Sequence, residues 1–283
     1  MDRYLARDTD GRALLGDDDG YVPLAAADPS LTTVRDALRC PPEELPDPDD
    51  ASAERVPGPH LAFASPLADP EKLLGIGLNY ADHAADLDED SPDEPASFFK
   101  PATAATGPGG PVRLPPESES ERVTAEAELA VVIGRTCRNI DPEDVDDVVA
   151  GYVPVIDVTA EDVLQRNPRF LTRAKSYDTF LVVGPRLVVP EREHDLDDQS
   201  GDGRPLDDLS VHTVVNDEVV AENSVANMHF SPRELVAFHS RVMTLEPGDL
   251  ISTGTPGAHP VEPGDTVRAE VDRIGTVTTD VVR

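Results

Sequence analysis

Residues 148–159 read VVAGYVPVIDVT, a run in which the only charged side chain is Asp157. Val, Ile, Tyr and Thr crowd it, as they do in a strand buried on both faces. A companion lies just before it. EAELAVVIG, at 126–134, opens on acids and then becomes too apolar for a surface strand. Working outward, strand-like segments recur at 72–78 (KLLGIGL), 179–184 (TFLVVG), 209–216 (LSVHTVVN) and 249–254 (DLISTG). Helical patterns are few, chiefly 79–88, 160–165 and 231–243. Helices do not follow the strands regularly, which argues against a doubly wound or barrel α/β arrangement. The pattern predicts a strand-rich α+β fold.

Toward the N-terminus come short extended pieces, RYLAR, RALLG and YVPLA, punctuated by Gly and Asp, then a short helix predicted over 30–39. Residues 41–60, PPEELPDPDDASAERVPGPH, are rich in Pro and acid and carry no periodicity, which marks a linker or surface loop. The chain is thus expected to divide into a small N-terminal domain over 1–65 and a larger mixed-sheet domain over 66–283. The polar run EREHDLDDQSGDGRPLDD at 191–208 reads as a solvated excursion.

Charge narrows the function classes. The 283 residues carry 56 Asp+Glu against 24 Lys+Arg, a formal charge of −32. A polyanion of this kind does not hold a nucleic-acid backbone or an anionic lipid surface. Self-repulsion on this scale opposes a compact state at ordinary ionic strength, whereas at molar salt the Debye length falls to about 3 Å and screens it. An Asp-rich, Lys-poor composition therefore points to a salt-loving source. The N-terminus shows no basic segment followed by an apolar stretch, and LAVVI at 129–133 is far too short to cross a bilayer, so a cytoplasmic protein is expected. Cys40 and Cys137 lack CxxC spacing and read as inert thiols.

In so acidic a chain most carboxylate pairs are solvated surface. Glu126 and Glu128 differ because an apolar run follows them directly. On an extended strand they share a side about 6.6 Å apart and can converge on one ion; the alternative is an exposed pair at a strand's entry. Asp157 lies in apolar surroundings, where an unpaired carboxylate costs several kcal/mol, so it needs a cation or several donors unless it merely caps a strand end. Three carboxylates make a hard oxygen site, suited to Mg²⁺ or Mn²⁺, with Ca²⁺ as an alternative, rather than Zn²⁺ or copper. Only three lysines stand among 21 arginines, and Lys175 and Lys100 both lie beside aromatics, which points to a need for an ammonium point charge. His83 and Asp86 face each other if 80–88 is helical, and a carboxylate beside an imidazole raises its basicity as a water-activating base requires; the alternative is a solvated surface pair, the commoner case in so acidic a chain. The loop STGTPG, 252–257, offers hydroxyls and free N–H groups for a carboxylate, or is a plain turn.

In this order, GIGLNYADHA, SFFKP, EAELAVVIG, GYVPVIDVTAED, AKSYDTFLVVGP and MTLEPGDLISTGTP resemble the motif series of the fumarylacetoacetate hydrolase family, over about residues 72–256. The resemblance implies a mixed β-sandwich roll preceded by a smaller N-terminal domain, a homodimer, and a divalent ion held by Glu126, Glu128 and Asp157. It implies a small 2-oxo acid, such as an acylpyruvate, as substrate. His83 oriented by Asp86 would be the base, Lys175 would face the developing enolate, and Tyr80, Lys100, Gln165, Gly254 and Thr255 would contact substrate. The reaction expected is C–C hydrolysis through an enolate stabilised by the ion. Isomerisation, hydration, dehydration or decarboxylation is the alternative, and a non-catalytic metabolite-binding member is a third reading. Members often carry Arg four residues after the metal aspartate and Gln three further on; here those places hold Glu161 and Leu164, with Gln165 one position later.

Overall fold

The computed structural model describes residues 2–80, 92–190 and 206–283. Beyond Tyr80 the helix expected over 79–88 lies outside these residues, as does the polar run from 191 to 205. The two stretches that dominate the sequence are the long strands Val123–Ile133 and Val149–Ala160, buried along their whole lengths. They pair antiparallel, with Glu126 opposite Asp157 and Glu128 opposite Val155.

Alternation gives this pair two apolar faces, which explains why both read as continuous hydrophobic runs. One face, with Ala127, Leu129, Val131, Ile156 and Val158, shares a core with Val211, Val267 and Ala269 of a second sheet. The other face, with Ala130, Val132, Val153 and Val155, packs against Leu5, Leu15, Val22, Val34 and Leu38 of the N-terminal region. Farther along that face the apolar pattern stops. Glu128, then Glu126 and Asp157, take its place.

Among the described residues thirteen strands join one sheet and five another. Parallel pairing of Leu250–Ser252 with Leu73–Gly77 makes the large sheet mixed. The short N-terminal pieces are strands Arg3–Asp8, Ala13–Asp17 and Gly20–Pro23, and the first pairs with Arg186–Val189. The helix predicted over 30–39 is Val34–Leu38, started by a capping box between Thr33 and Asp36. Those expected at 160–165 and 231–243 are Glu161–Arg166 and Pro232–Val242. Within 41–60 the prolines open single 3₁₀ turns, Pro42–Glu44, Pro48–Asp50 and Gly58–His60. The fold is strand-rich α+β with mixed sheets, as the pattern predicts. Strands Ala96–Lys100, Glu218–Ser224, Thr266–Val271 and Gly275–Val282 are additional to those anticipated.

Candidate metal centre and active site

Cross-strand register builds the centre. Glu126 and Asp157 are direct partners, and Glu128 follows two residues along on the same face, so one carboxylate oxygen from each lies within 4.8 Å of the others. All three side chains are buried. Among the described residues this is the one cluster of three or more metal-ligating side chains.

Two lysines close on the cluster from outside the strand pair. Lys175 ends the short helix Leu171–Lys175, and its Nζ donates to Asp157 Oδ2 at 2.7 Å and to Glu126 Oε2 at 3.0 Å while lying 4.8 Å from the centre of the Phe98 ring. Gly75 makes that ring's position feasible, since a Cβ there would come within 2.2 Å of it. Lys100 ends Ala96–Lys100, and its Nζ approaches Asp157 Oδ1 to 2.5 Å. Its N–H groups, however, donate to the carbonyls of Val158, Lys175 and Phe180 at 3.0, 2.8 and 2.7 Å. An ammonium has three N–H groups, so none remains for a substrate. In this structure Lys100 supports Asp157.

The STGTPG loop reaches the cluster because the sheet expels it there. Leu250–Ser252 pairs with Val132–Ala130, and His259–Val261 pairs with Ala125–Val123, so residues 253–258 leave the ladder opposite Glu126–Leu129. Ser252 Oγ and the Gly254 amide both donate to Glu128 Oε2, the latter at 2.9 Å. Gly254 has φ +100°, and a Cβ on it would lie 2.8 Å from Asn79 Cβ. Asn79 in turn donates to the carbonyls of Thr253 (2.7 Å) and Phe230 (3.0 Å), and its Oδ1 accepts from Phe230 N. It ties the loop to the chain just after Leu78, a left-handed residue at φ 58°.

Electrostatically, three carboxylates face two ammonium groups. Burial, with Asp157 and Glu126 beside it, pushes Glu128 up to about 8. Asp157 would be raised by burial too, yet Lys100 and Lys175 outweigh that and hold it below the usual carboxylate value. Lys100 is lowered to about 8 by burial against the pull of Asp157. For Lys175 burial acts downward, but Asp157 and Glu126 prevail and raise it. A divalent cation fits this set. The two ammonium groups serve Asp157 and Glu126, so Glu128 must hold either a proton or a cation, and all three ligands are oxygen. Asp157 Oδ1 is ion-paired to Lys100, but both donors to Glu128 reach Oε2, leaving Oε1 without one among the described residues.

Of the other residues named from sequence, Tyr80 is wholly buried and its hydroxyl has no partner among the described residues. Burial first, and then Glu128, raise its pKa, so the hydroxyl stays protonated. Thr255 is buried and its Oγ1 bonds Gly257 O at 3.1 Å. Gln165 is exposed and donates to Glu161 Oε1 at 2.9 Å. His83 and Asp86 lie outside the described residues. Sequence reasoning missed Asn79, Ser252 and Thr159, whose Oγ1 donates to Glu126 Oε1 at 2.7 Å. Each sits inside a quoted motif; what the string lacked was the register that aims it.

Comparison with known proteins places this geometry. The sequence pattern described as "Fumarylacetoacetate (FAA) hydrolase C-terminal" matches residues 72–282. The mitochondrial oxaloacetate tautomerase of Xenopus laevis is 34% identical over 281 residues, covering 95% of this chain and 84% of that protein. A solved maleylpyruvate hydrolase from Sphingobium sp. SYK-6, in complex with manganese(II) ion and pyruvate, superposes with a TM-score of 0.76 at 30% identity, covering 100% of this chain and 99% of that one. A 5-carboxymethyl-2-hydroxymuconate delta-isomerase from Mycobacterium smegmatis gives 0.76 at 31% identity, with 100% of both chains covered.

Proposed function

The chain belongs to the fumarylacetoacetate hydrolase family, and on that premise we propose that it hydrolyses a C–C bond in a small, acylpyruvate-like 2-oxo acid with the help of Mg²⁺ or Mn²⁺. The buried rung of Asp157 and Glu126, joined by Glu128 and bridged by Lys175, carries this reading. Glu126, Glu128 and Asp157 would hold the ion, which when bound supplies Lewis-acid stabilisation of negative charge on the keto and carboxylate oxygens of the substrate.

The protein's own groups do the rest. Lys175 adds a fixed positive charge beside the carboxylates, Lys100 holds Asp157, and the Gly254 amide fixes Glu128. Thr255 and nearby amides hold the substrate carboxylate. His83, oriented by Asp86, takes a proton from the water that attacks the distal carbonyl. That water's oxygen bonds to the carbonyl carbon, the bond from it to C3 breaks, and the electron pair becomes an enolate that is protonated at C3. Two smaller acids leave.

Isomerisation or tautomerisation is the second reading, supported by the identities of the Xenopus and Mycobacterium relatives. It uses the same enolate and needs no attacking water. The test is a panel of acylpyruvates and oxaloacetate with Mg²⁺ and Mn²⁺ at high salt, with products identified by mass. Two smaller acids support hydrolysis, one rearranged acid supports the second reading, and no turnover of any substrate contradicts both. Light scattering of the same sample tests the proposed homodimer.

A further inference from the structure

The donors around the metal trio are shared out unequally among its carboxylate oxygens. Glu126 Oε1 accepts from Thr159 at 2.7 Å, and its Oε2 accepts from Lys175 at 3.0 Å. Asp157 Oδ2 accepts from Lys175 at 2.7 Å, while Oδ1 is ion-paired to Lys100. Glu128 differs, because Ser252 Oγ and the Gly254 amide both donate to Oε2 and Oε1 has no donor among the described residues. Register explains why Ser252 reaches it. Ser252 pairs with Ala130, so their side chains share a face, and Glu128 stands two residues from Ala130 on that face. Ser252 is 2% exposed and follows Leu250 and Ile251, both fully buried, so an apolar residue would continue the packing of this strand. A hydroxyl has one O–H to donate, and here it goes to Glu128. The Gly254 donor is backbone, which leaves Ser252 as the side chain that decides whether Oε2 is held once or twice.

From this arrangement we infer that Ser252 is a positioning residue that sets ion selectivity: by holding Glu128 to a single open oxygen it suits the centre to a small octahedral cation, Mg²⁺ or Mn²⁺, against Ca²⁺. Two donors converging on Oε2 fix the plane of the carboxylate and oppose its turning both oxygens toward one ion. Ca²⁺ takes about six to eight oxygens at about 2.3–2.6 Å and often engages both oxygens of a carboxylate, whereas Mg²⁺ demands near-ideal octahedral geometry at about 2.0–2.1 Å. A carboxylate pinned through one oxygen meets the second demand and works against the first. The inference rests on the proposed function, since it presumes that Glu126, Glu128 and Asp157 hold the ion the reaction uses.

Calorimetric titrations of MnCl₂, MgCl₂ and CaCl₂ into the ion-free protein at molar KCl test it, read as the ratio of the Ca²⁺ dissociation constant to that of each smaller ion. Wild type is expected to bind both smaller ions more tightly than Ca²⁺, Mn²⁺ by about tenfold or more. Ser252→Ala is expected to weaken Mn²⁺ binding about tenfold, the usual scale for removing a group that orients a metal ligand, and to shrink both ratios about fivefold or more because Glu128 is freed to offer both oxygens. Ser252→Thr keeps the hydroxyl and is expected to keep the wild-type ratios. Should Ser252→Ala lose cooperative unfolding, Ser252→Cys, whose S–H is a weak donor, carries the same expectation. An unfolding midpoint that shifts while the ratios stay fixed would assign Ser252 to the fold alone and overturn the inference. Ratios that fall as far in Ser252→Thr as in Ser252→Ala, or a wild type that binds Ca²⁺ as tightly as Mn²⁺, would overturn it too. If wild type binds none of the three ions saturably, the metal centre and with it the proposed function fail; saturable binding indifferent to residue 252 sinks only the role of Ser252.

Discussion

Gly254 concentrates several demands in one residue. Its left-handed φ of +100° and the closeness of Asn79 leave no place for a Cβ, and its amide must still reach Glu128. Gly254→Ala is expected to lower kcat/KM at least tenfold, measured against the best substrate of the panel. Lys100 is a buried charge that meets Asp157 and three backbone carbonyls. Removing it leaves three carbonyls and Asp157 unanswered, so Lys100→Met is expected to cost about 3–5 kcal/mol in chemical denaturation. His239 tests pH dependence away from the carboxylates. It is 1% exposed, its Nδ1 donates to Leu235 O at 2.7 Å, and its Nε2 is buried without a partner among the described residues. Burial lowers its pKa below 6.5 despite the bond to Leu235. The unfolded chain therefore binds the proton first as pH falls. Stability is full above pH 6.5 and declines as pH drops through the lower folded value. His239→Phe is expected to remove that part of the slope in denaturation curves taken between about pH 5 and 7.

At the level of elements, the strands buried on both faces were the readable part of the chain. Val123–Ile133 and Val149–Ala160 announce themselves because neither face needs a polar residue, and an acid in such a run stands out for the same reason. Glu126, Glu128 and Asp157 could therefore be chosen from sequence. The strands Thr266–Val271 and Gly275–Val282 were harder. They bury alternate residues only, and their exposed Thr, Arg and Asp dilute the apolar signal. Nor could the string reveal that Lys100 is saturated, since its acceptors come from Val158, Lys175 and Phe180, segments brought together by the sheet and the helix that follows it. Local signals do fix the helix Pro232–Val242. Ser231 and Glu234 cap its first turn reciprocally, so Ser231→Ala is expected to cost about 1 kcal/mol by urea denaturation.

For the whole molecule, a charge of −32 on 283 residues sets the conditions under which the fold holds. Even if each of the 24 Lys+Arg offset one of the 56 Asp+Glu, 32 acids would be left without a compensating charge, and these repel one another through solvent. The unfolding midpoint is expected to rise steeply between dilute buffer and molar KCl, where screening shortens the Debye length to about 3 Å. A salt-independent midpoint would contradict the halophilic reading. The same excess of acid makes a specific cation site a demanding claim, because surface carboxylates everywhere attract ions weakly and molar salt suppresses them first. Calorimetric titration of Mn²⁺ into the protein at molar KCl is therefore the most direct measurement. The trio predicts one saturable ion per chain in the wild type and none in Asp157→Ala, with the variant's cooperative unfolding showing that it is folded. Equal binding in both proteins, or no saturable binding in the wild type, would contradict the assignment of Glu126, Glu128 and Asp157 as the metal centre.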